Sequence, residues 1–204
     1  MCDRVIAVIG LGYVGLPLAV AFAENHQVIA YDTNSARIDE LRRGEDCTRE
    51  VESSVLLDAT IRFTADPQNL DQAQVFLVAV PTPVDAHKRP DLSHLVEASR
   101  TIGQHLLAGD LVVYESTVYP GATEEVCIPE LEATSGLRSG SDFGVGYSPE
   151  RVNPGDSGRR LGDVVKVISG CTPEVAEGVA RLYSEVVTAG VHPVSSIRVA
   201  EAAK

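Results

Sequence analysis

The chain has 204 residues, enough for one domain with a sizeable core, or for one domain and a small part of another. Its 17 basic and 29 acidic residues give a net charge of −12, which argues against a nucleic acid or an anionic membrane as partner. The apolar stretches are strand-sized, so no transmembrane helix is expected, and the N-terminus lacks a signal-peptide pattern. We therefore expect a cytoplasmic protein.

The cysteines are far apart and form no CxxC pair, so we expect free thiols rather than a disulfide framework or a zinc site. They are Cys2, Cys47, Cys127 and Cys171. The histidines do not lie near other plausible metal ligands, and no metal is predicted.

The first predicted element is a strand that breaks directly into a glycine-rich turn. Residues 5–15 read Val-Ile-Ala-Val-Ile-Gly-Leu-Gly-Tyr-Val-Gly, a helix is predicted over about 13–24, and a second apolar run ends on Asp32. Strand, glycine turn, helix, strand and acidic residue together form the fingerprint of a dinucleotide site. We therefore expect a nicotinamide or flavin nucleotide here.

Each glycine of this turn has its own physical role. Gly10 allows the tight turn, Gly12 lets the backbone approach a pyrophosphate, and Gly15 lets the helix pack closely on the strand. The helix N-terminus then offers free N–H groups and a positive dipole end to the phosphates. The predicted cofactor contacts in this turn are Gly10, Leu11, Gly12, Tyr13, Val14 and Gly15.

Two further residues bear on which nucleotide binds. Asp32 can accept hydrogen bonds from both ribose hydroxyls and would repel a 2′-phosphate, so NAD is favoured over NADP. Arg37 is also assigned to this site, with three alternatives: it suits a 2′-phosphate, stacks on adenine, or lies in solvent.

The remaining pattern alternates between strands and helices. The predicted order is helix 34–43, a polar connection over 44–54, strand 61–64, strand 75–80, a helix from Asp91 or Ser93 to about 107, strand 111–114, helix 121–133, strand 143–147, strand 164–169, helix 173–187, strand 190–193, and a final helix from about Ser195. Such alternation predicts an α/β fold, a Rossmann-like doubly wound parallel sheet with helices on both faces. The chain ends inside helix-forming sequence, so we expect a cut from a longer protein, with a natural terminus as the alternative.

In such a sheet, ligands bind outside the carboxyl ends of the strands, so the residues that follow strands are candidates. Val80, Pro81 and Thr82 are assigned to the cofactor, with a plain proline turn as the alternative. Ser116 and Thr117 are placed near a nicotinamide ring or a reacting alcohol, with helix capping as the alternative.

The segment after strand 143–147 carries an acid and a base side by side. Glu150 can accept a proton directly or through water, and Arg151 can pair with an anionic substrate. An exposed ion pair is the alternative for both.

Five ordered motifs carry a family resemblance: residues 10–17 (Gly-Leu-Gly-Tyr-Val-Gly-Leu-Pro), 80–83 (Val-Pro-Thr-Pro), 115–118 (Glu-Ser-Thr-Val), 148–156 (Ser-Pro-Glu-Arg-Val-Asn-Pro-Gly-Asp) and 200–204 (Ala-Glu-Ala-Ala-Lys). Together they resemble the N-terminal NAD-binding domain of the UDP-glucose/GDP-mannose dehydrogenase family. The fourth motif most resembles the branch that acts on UDP-N-acetylhexosamines, which includes Vi-polysaccharide, capsule and O-antigen enzymes.

The resemblance implies two successive NAD-dependent oxidations of a UDP-sugar (a UDP-N-acetylhexosamine or UDP-glucose) at C6, from alcohol to carboxylate, for polysaccharide synthesis. In this family a cysteine thiolate holds the oxidised sugar as a thioester, which water releases as the acid. By this resemblance Thr117 orders water and the reacting oxygen, Glu150 assists proton transfer and thioester hydrolysis, and Lys204 stabilises an oxyanion. Glu150, Arg151 and Lys204 are the expected substrate contacts.

The resemblance also implies parts that the chain lacks. The family's nucleophilic cysteine lies well beyond residue 204, so this chain alone is expected not to complete the reaction. Residues 1–194 would form the NAD-binding domain and 195–204 would begin the connecting helix. The full-length protein is expected to be a homodimer. The alternatives are a β-hydroxyacid-type dehydrogenase and a non-catalytic NAD-binding module.

Overall fold

The computed structural model describes residues 4–87, 89–150 and 161–204. In these ranges eight strands form one sheet with the order β3-β2-β1-β4-β5-β6-β7-β8. The strands are β1 (Val5–Ile9), β2 (Gln27–Tyr31), β3 (Ile61–Thr64), β4 (Val75–Val78), β5 (Leu111–Tyr114), β6 (Gly144–Tyr147), β7 (Lys166–Gly170) and β8 (Val191–Pro193).

Strands β1 to β6 run parallel, with β1 and β4 side by side at the centre. The chain moves outward from β1 through β2 to β3, then returns to place β4 on the other side of β1. The two connections therefore diverge above β1 and β4, and a crevice opens at their carboxyl ends. The expected doubly wound, Rossmann-like fold is confirmed.

Helices cover both faces of the sheet, as expected. They are α1 (Gly15–Ala23), α2 (Ser35–Arg42), α3 (Ser53–Asp58), α4 (Ser93–Gly103), α5 (Ile128–Ser135), α6 (Pro173–Ser184) and α7 (Ile197–Ala202). One core contains buried residues of α1, α2, α3 and α6, and the other contains those of α4, α5 and α7. Strand β1 supplies Ile6 and Val8 to the first core and Ala7 and Ile9 to the second, because successive strand residues point to opposite faces.

The sheet is mostly parallel, as predicted, and departs from that direction at one strand pair. Strand β7 pairs antiparallel with β6, with Gly146 opposite Gly170 and Tyr147 opposite Ser169. A parallel return needs a crossover of a dozen or more residues, usually a helix, and the proline- and glycine-rich sequence after β6 has no helical periodicity. Strand β7 therefore begins at the edge where β1 to β6 end, which places Lys166 at that edge.

Several helix boundaries also differ from the prediction. Helix α3 begins at Ser53, within the stretch 44–54 expected to be a polar connection, and extends beyond it to Asp58. The helix expected over 121–133 is a π-helical turn, Thr123–Cys127, followed by α5. Pro129 lies in the first turn of α5, and because it has no backbone N–H it cannot donate to the preceding turn. The change of helix type therefore coincides with this proline.

The last helix packs on the sheet. Ile197 and Ala200 are buried in the second core, and the Ser196 side chain accepts from the Val199 N–H at 3.3 Å, which caps the helix. The division of the chain between residues 194 and 195 stays a prediction. None of the helices in the described ranges has the length and apolar character needed to cross a bilayer.

We expect Gly15→Ala to lower the free energy of unfolding by about 2 kcal/mol or more, because its Cβ would lie 1.8 Å from the Gly10 carbonyl oxygen. Urea denaturation measures the effect. Gly178→Ala in α6 is the matched control, since its Cβ would meet only an arginine side-chain nitrogen at 4.0 Å. This control should raise stability by up to about 1 kcal/mol. Equal effects of the two substitutions would contradict the close packing of α1 on β1.

Candidate functional site

The glycine turn after β1 has the geometry that the sequence predicts. Gly10 has a φ of +89° and its N–H donates to the Tyr31 carbonyl at 2.9 Å. A Cβ on Gly15 would overlap the Gly10 carbonyl, whereas a Cβ on Gly12 would have no atom within 4 Å. The glycine at position 12 therefore borders open space, which is where a pyrophosphate would need to approach the backbone.

The N-terminus of α1 opens onto the same space. No side chain caps its first turn. The Leu16 and Leu18 N–H groups donate to the carbonyls of Gly12 and Val14 at 3.1 and 3.2 Å, and the N–H groups of residues 12–15, which have no partner among the described hydrogen bonds, face an anionic ligand. Tyr13 is 51% exposed, whereas Leu11 is buried. The Leu11 backbone N–H donates to Asp32, and its carbonyl accepts from Arg37.

The Asp32 carboxylate is tied to the glycine turn. Its Oδ2 accepts from the Leu11 N–H at 2.9 Å, and its Oδ1 accepts from the Asn34 N–H at 2.9 Å. A carboxylate has about four acceptor positions, so Asp32 can still accept from two hydroxyls in the adjoining cavity.

Arg37 is buried, which excludes the alternative that it lies in solvent. Its guanidinium donates to Asp46 at 2.6 Å, to Glu40 at 2.7 Å and to the Leu11 carbonyl at 3.0 Å. Burial opposes the charge of Arg37, but the hydrogen bond and charge of Asp46 outweigh burial and raise the pKa of Arg37. Two carboxylates balance this cation, so it offers little free charge to a 2′-phosphate.

A cavity of about 610 Å³ fills the crevice between these groups. Its walls include Gly10, Leu11, Gly12, Asp32, Arg37, Val80 and Pro81, all predicted from the sequence. Helix α4 forms another wall through His94, Glu97, Ala98 and Thr101, which sequence reasoning missed. The amphipathic pattern of α4 indicates a buried face but not which polar residues border the crevice.

The ends of β4, β5 and β6 are joined by hydrogen bonds. The Thr82 hydroxyl donates to the Thr117 carbonyl at 2.6 Å, and the Ser116 hydroxyl donates to the Val80 carbonyl at 2.6 Å. The Tyr147 hydroxyl donates to the Ser116 carbonyl at 3.0 Å. Ser116 is buried, and its hydroxyl proton is used in the hydrogen bond to Val80. Thr117 is exposed at the edge of the sheet where the parallel strands end.

Glu150 and Lys204, 54 positions apart in the chain, are brought into contact. The Lys204 ammonium donates to the backbone carbonyl of Glu150. The Glu150 side chain is buried, and its Oε2 accepts from the Lys166 ammonium at 3.2 Å. Arg151, the predicted partner for an anionic substrate, lies outside the described residues.

Sequence reasoning missed a group of buried polar residues beside Glu150. The Lys166 Nζ lies 2.6 Å from Oε2 of Glu115, and the Tyr183 hydroxyl donates to the other oxygen of Glu115. The sequence offers one signal, a lysine at the start of an otherwise apolar strand. This lysine lies near Glu150 only if β7 runs antiparallel to β6.

These observations fit an NAD-binding domain, and the comparison with known families decides the matter. The family model for the NAD binding domain of the UDP-glucose/GDP-mannose dehydrogenase family matches residues 4–187. The chain belongs to this family. Its cofactor is accordingly NAD, and the cavity, the open face of Gly12 and the acceptor positions of Asp32 suit that molecule.

Individual relatives agree with this assignment. The chain is 57% identical over 205 residues to UDP-N-acetyl-D-glucosamine 6-dehydrogenase of Pseudomonas aeruginosa, covering 100% of the chain and 49% of the relative. It is 55% identical over 202 residues to protein CapL of Staphylococcus aureus, covering 99% and 48%. Among solved structures, UDP-D-ManNAc dehydrogenase of Pyrococcus horikoshii superposes with a TM-score of 0.89 at 35% identity, covering 98% and 49%. The chain spans about half the length of the relatives it matches.

Cys47, Cys127 and Cys171 are free thiols. Cys127 is buried, and burial raises the pKa of its thiol to about 12. Cys47 is exposed, and its hydrogen bond with Glu40 raises its pKa. Cys171 is half-buried and accepts from the Val145 N–H at 3.3 Å. Cys2 lies outside the described residues.

We expect Gly12→Val to abolish NAD binding while leaving the fold intact, because the new side chain enters the open space reserved for the pyrophosphate. Titration calorimetry measures the affinity, and thermal unfolding checks the fold. Gly12→Ala, with a single added carbon, should have a smaller effect. Normal affinity in the valine variant would refute this placement of the phosphates.

We expect Asp32→Asn to narrow the preference for NAD over NADP by about tenfold, because the negative charge that repels a 2′-phosphate is lost. Calorimetric titration with both coenzymes measures the ratio. Asp39→Asn is the matched control, since Asp39 lies on α2 with its side chain 64% exposed and outside the cavity lining. The same ratio in both variants would remove Asp32 from the ribose site.

Proposed function

We propose that the chain is the coenzyme-binding half of an NAD-dependent nucleotide-sugar 6-dehydrogenase. Its substrate would be a UDP-N-acetylhexosamine, oxidised at C6 to a carboxylate in two steps, and its role would be in polysaccharide synthesis. The observation that carries this proposal is the contact of Lys204 with Glu150, which assembles an acid–base group and a cation at the same sheet edge as the NAD cavity.

The geometry of the crevice supports an assignment of the cofactor contacts. We assign the pyrophosphate to the backbone of the glycine turn, the adenosine ribose to Asp32, and the far end of the coenzyme to Thr82, Ser116 and Thr117. Arg37 would shape the adenosine end through the Leu11 carbonyl. The crevice between β1 and β4 supports this order, because ligands of doubly wound sheets lie where the strand order reverses.

The chain supplies three groups for the chemistry, and bound NAD supplies the hydride acceptor. Glu150 can take a proton from a sugar hydroxyl or from water, since its carboxylate is buried at the edge of the sheet. Lys204 brings a positive charge next to Glu150, where it would stabilise an oxyanion. The exposed Thr117 would hold water or the reacting oxygen. The nucleophilic thiolate would come from a segment outside this chain.

The names of the relatives support the choice of substrate. The Pseudomonas aeruginosa relative is named as a UDP-N-acetyl-D-glucosamine 6-dehydrogenase, and a Salmonella typhi relative of the same name is 48% identical over 200 residues. The family match favours this function over a β-hydroxyacid dehydrogenase. We further infer that the complete protein is a cytoplasmic homodimer, which sedimentation would test.

The decisive experiment is a substrate panel on the complete protein. UDP-glucose, UDP-N-acetylglucosamine, UDP-N-acetylgalactosamine and UDP-N-acetylmannosamine would each be supplied with NAD, and NADH would be measured by absorbance. We expect one or more UDP-N-acetylhexosamines to be oxidised, with two NADH formed per sugar. A folded protein that binds NAD but oxidises none of the four would contradict the proposal.

We expect Glu150→Gln to lower kcat by about a hundredfold in the complete protein while changing the Kd for NAD little, because an amide cannot accept the proton. Steady-state kinetics and calorimetry measure the two quantities. Glu177→Gln makes the same change of charge at a side chain that is 75% exposed on α6, and it should leave both values unchanged. An unchanged kcat for Glu150→Gln would end its catalytic role.

A further inference from the structure

A buried charged cluster lies directly behind Glu150. We define the Lys166 cluster as Glu115, Glu150, Lys166 and Tyr183. The Lys166 Nζ lies 2.6 Å from Glu115 Oε2 and 3.2 Å from Glu150 Oε2, and the Tyr183 hydroxyl donates to Glu115. Lys166 is only 3% exposed and Glu115 only 1% exposed. One ammonium therefore lies between two carboxylates, away from water.

The cluster joins four elements that meet at the candidate site. Glu115 directly follows β5 and precedes Ser116 and Thr117, and Glu150 follows β6. Lys166 begins β7, and Tyr183 lies on α6 with its ring centroid 5.4 Å from the Lys166 Nζ. The antiparallel direction of β7 is what brings the lysine to this edge. Lys166 therefore bridges the end of β5, which leads to Thr117, and the end of β6, which leads to Glu150.

Stability alone is a poor reason for such a cluster. Buried ions lose their hydration, and well-packed apolar side chains often serve the fold as well or better. Burial opposes the charge of Lys166, but the carboxylates of Glu115 and Glu150 outweigh burial and raise the pKa of Lys166. Lys166 therefore stays protonated, and its fixed charge acts on both carboxylates.

We propose that Lys166 is a positioning residue for the oxidation, whose ammonium holds the Glu150 carboxylate ionised and oriented at the substrate edge. Glu115 and Tyr183 in turn hold Lys166. The inference rests on the proposed function, since it gives Glu150 a substrate to act on. Lys166 itself does not exchange a proton during turnover.

The charges predict opposite effects of two substitutions. Loss of the Lys166 ammonium removes a positive charge 3.2 Å from Glu150, so the protonated form of Glu150 is favoured and its pKa rises. Loss of the Glu115 charge removes a neighbouring negative charge, so the ionised form of Glu150 is favoured and its pKa falls. Tyr183 stays neutral, because burial and the neighbouring Glu115 raise its pKa. Lys204 meets Glu150 only at its backbone carbonyl in the described contacts, and both variants keep that contact.

The test uses the complete protein with glutamate labelled by ¹³C at the side-chain carboxyl. The Glu150 signal is assigned by its loss in Glu150→Gln and is followed against pH by NMR. In parallel, kcat for the preferred UDP-sugar is measured against pH. We expect Lys166→Met to raise the pH midpoint of the Glu150 titration by about one pH unit or more. The pH midpoint on the acid side of the kcat profile should rise by the same amount.

Glu115→Gln should move both downward, and Lys166→Arg should restore most of the wild-type titration. Arg181→Met, which removes a 72% exposed cation from α6, is the control and should move neither. The Kd for NAD, measured by calorimetry, should stay within about twofold in every variant, because the cluster lies outside the cavity lining.

The outcomes separate this inference from the proposed function. Opposite shifts of the Glu150 titration support the inference, and if no UDP-sugar is oxidised then only the proposed function is wrong. A Glu150 titration that moves in neither variant overturns the inference, even where UDP-sugar oxidation is observed. If Lys166→Met does not fold, Lys166→Gln, which keeps a hydrogen-bond donor but removes the charge, takes its place. An upward shift of the Glu150 titration in that variant supports the role, and an unchanged titration refutes it.

Discussion

Helix α1 lies so close to the end of β1 that not even one additional carbon atom fits between them at Gly15. This approach fixes where the helix N-terminus points, and therefore where an anion can meet its free N–H groups. It also holds the glycine turn against the end of β2, where Asp32 accepts from the Leu11 N–H. The position of the dinucleotide site follows from this single steric constraint together with the reversal of strand order between β1 and β4.

Two networks of charge serve the two ends of the site in different ways. Beside the glycine turn, Arg37 is held by Asp46 and Glu40, and the Asp32 carboxylate keeps acceptor positions open toward the cavity. At the ends of β5 and β6, Lys166 lies between two carboxylates, and one of these, Glu150, reaches the edge of the sheet. In both places a buried cation is paired with two carboxylates, Asp46 and Glu40 for Arg37 and Glu115 and Glu150 for Lys166. These ion pairs hold the carboxylates in fixed positions.

Hydrogen bonds between distant segments also join the parts of the chain around the candidate site. The hydroxyls of Thr82, Ser116 and Tyr147 join three neighbouring strand ends through backbone carbonyls. Glu201 on α7 accepts from the N–H groups of Gly121 and Thr123 at 2.5 and 2.9 Å, which ties the last helix to the loop after β5. On the same stretch of chain, Lys204 donates to the Glu150 carbonyl.

Much of this could be predicted from the sequence because the signals are local. The glycine turn, the acid at the end of β2 and the alternation of strands with helices each depend on residues within about 30 positions, where steric and periodic rules apply directly. Motifs mark Glu150 and Lys204 in the sequence, although no local rule predicts that they touch. The partners of Arg37, the wall formed by α4 and the cluster around Lys166 could not be predicted in this way. Lys166 contacts a carboxylate 51 positions away, and that contact exists only because β7 runs antiparallel. The sequence by itself determined the fold class and the cofactor turn, since both follow from short-range sterics and periodicity. Only the tertiary structure decided which buried charges meet, because contacts between distant residues depend on strand direction and packing, and these leave no local trace in the chain.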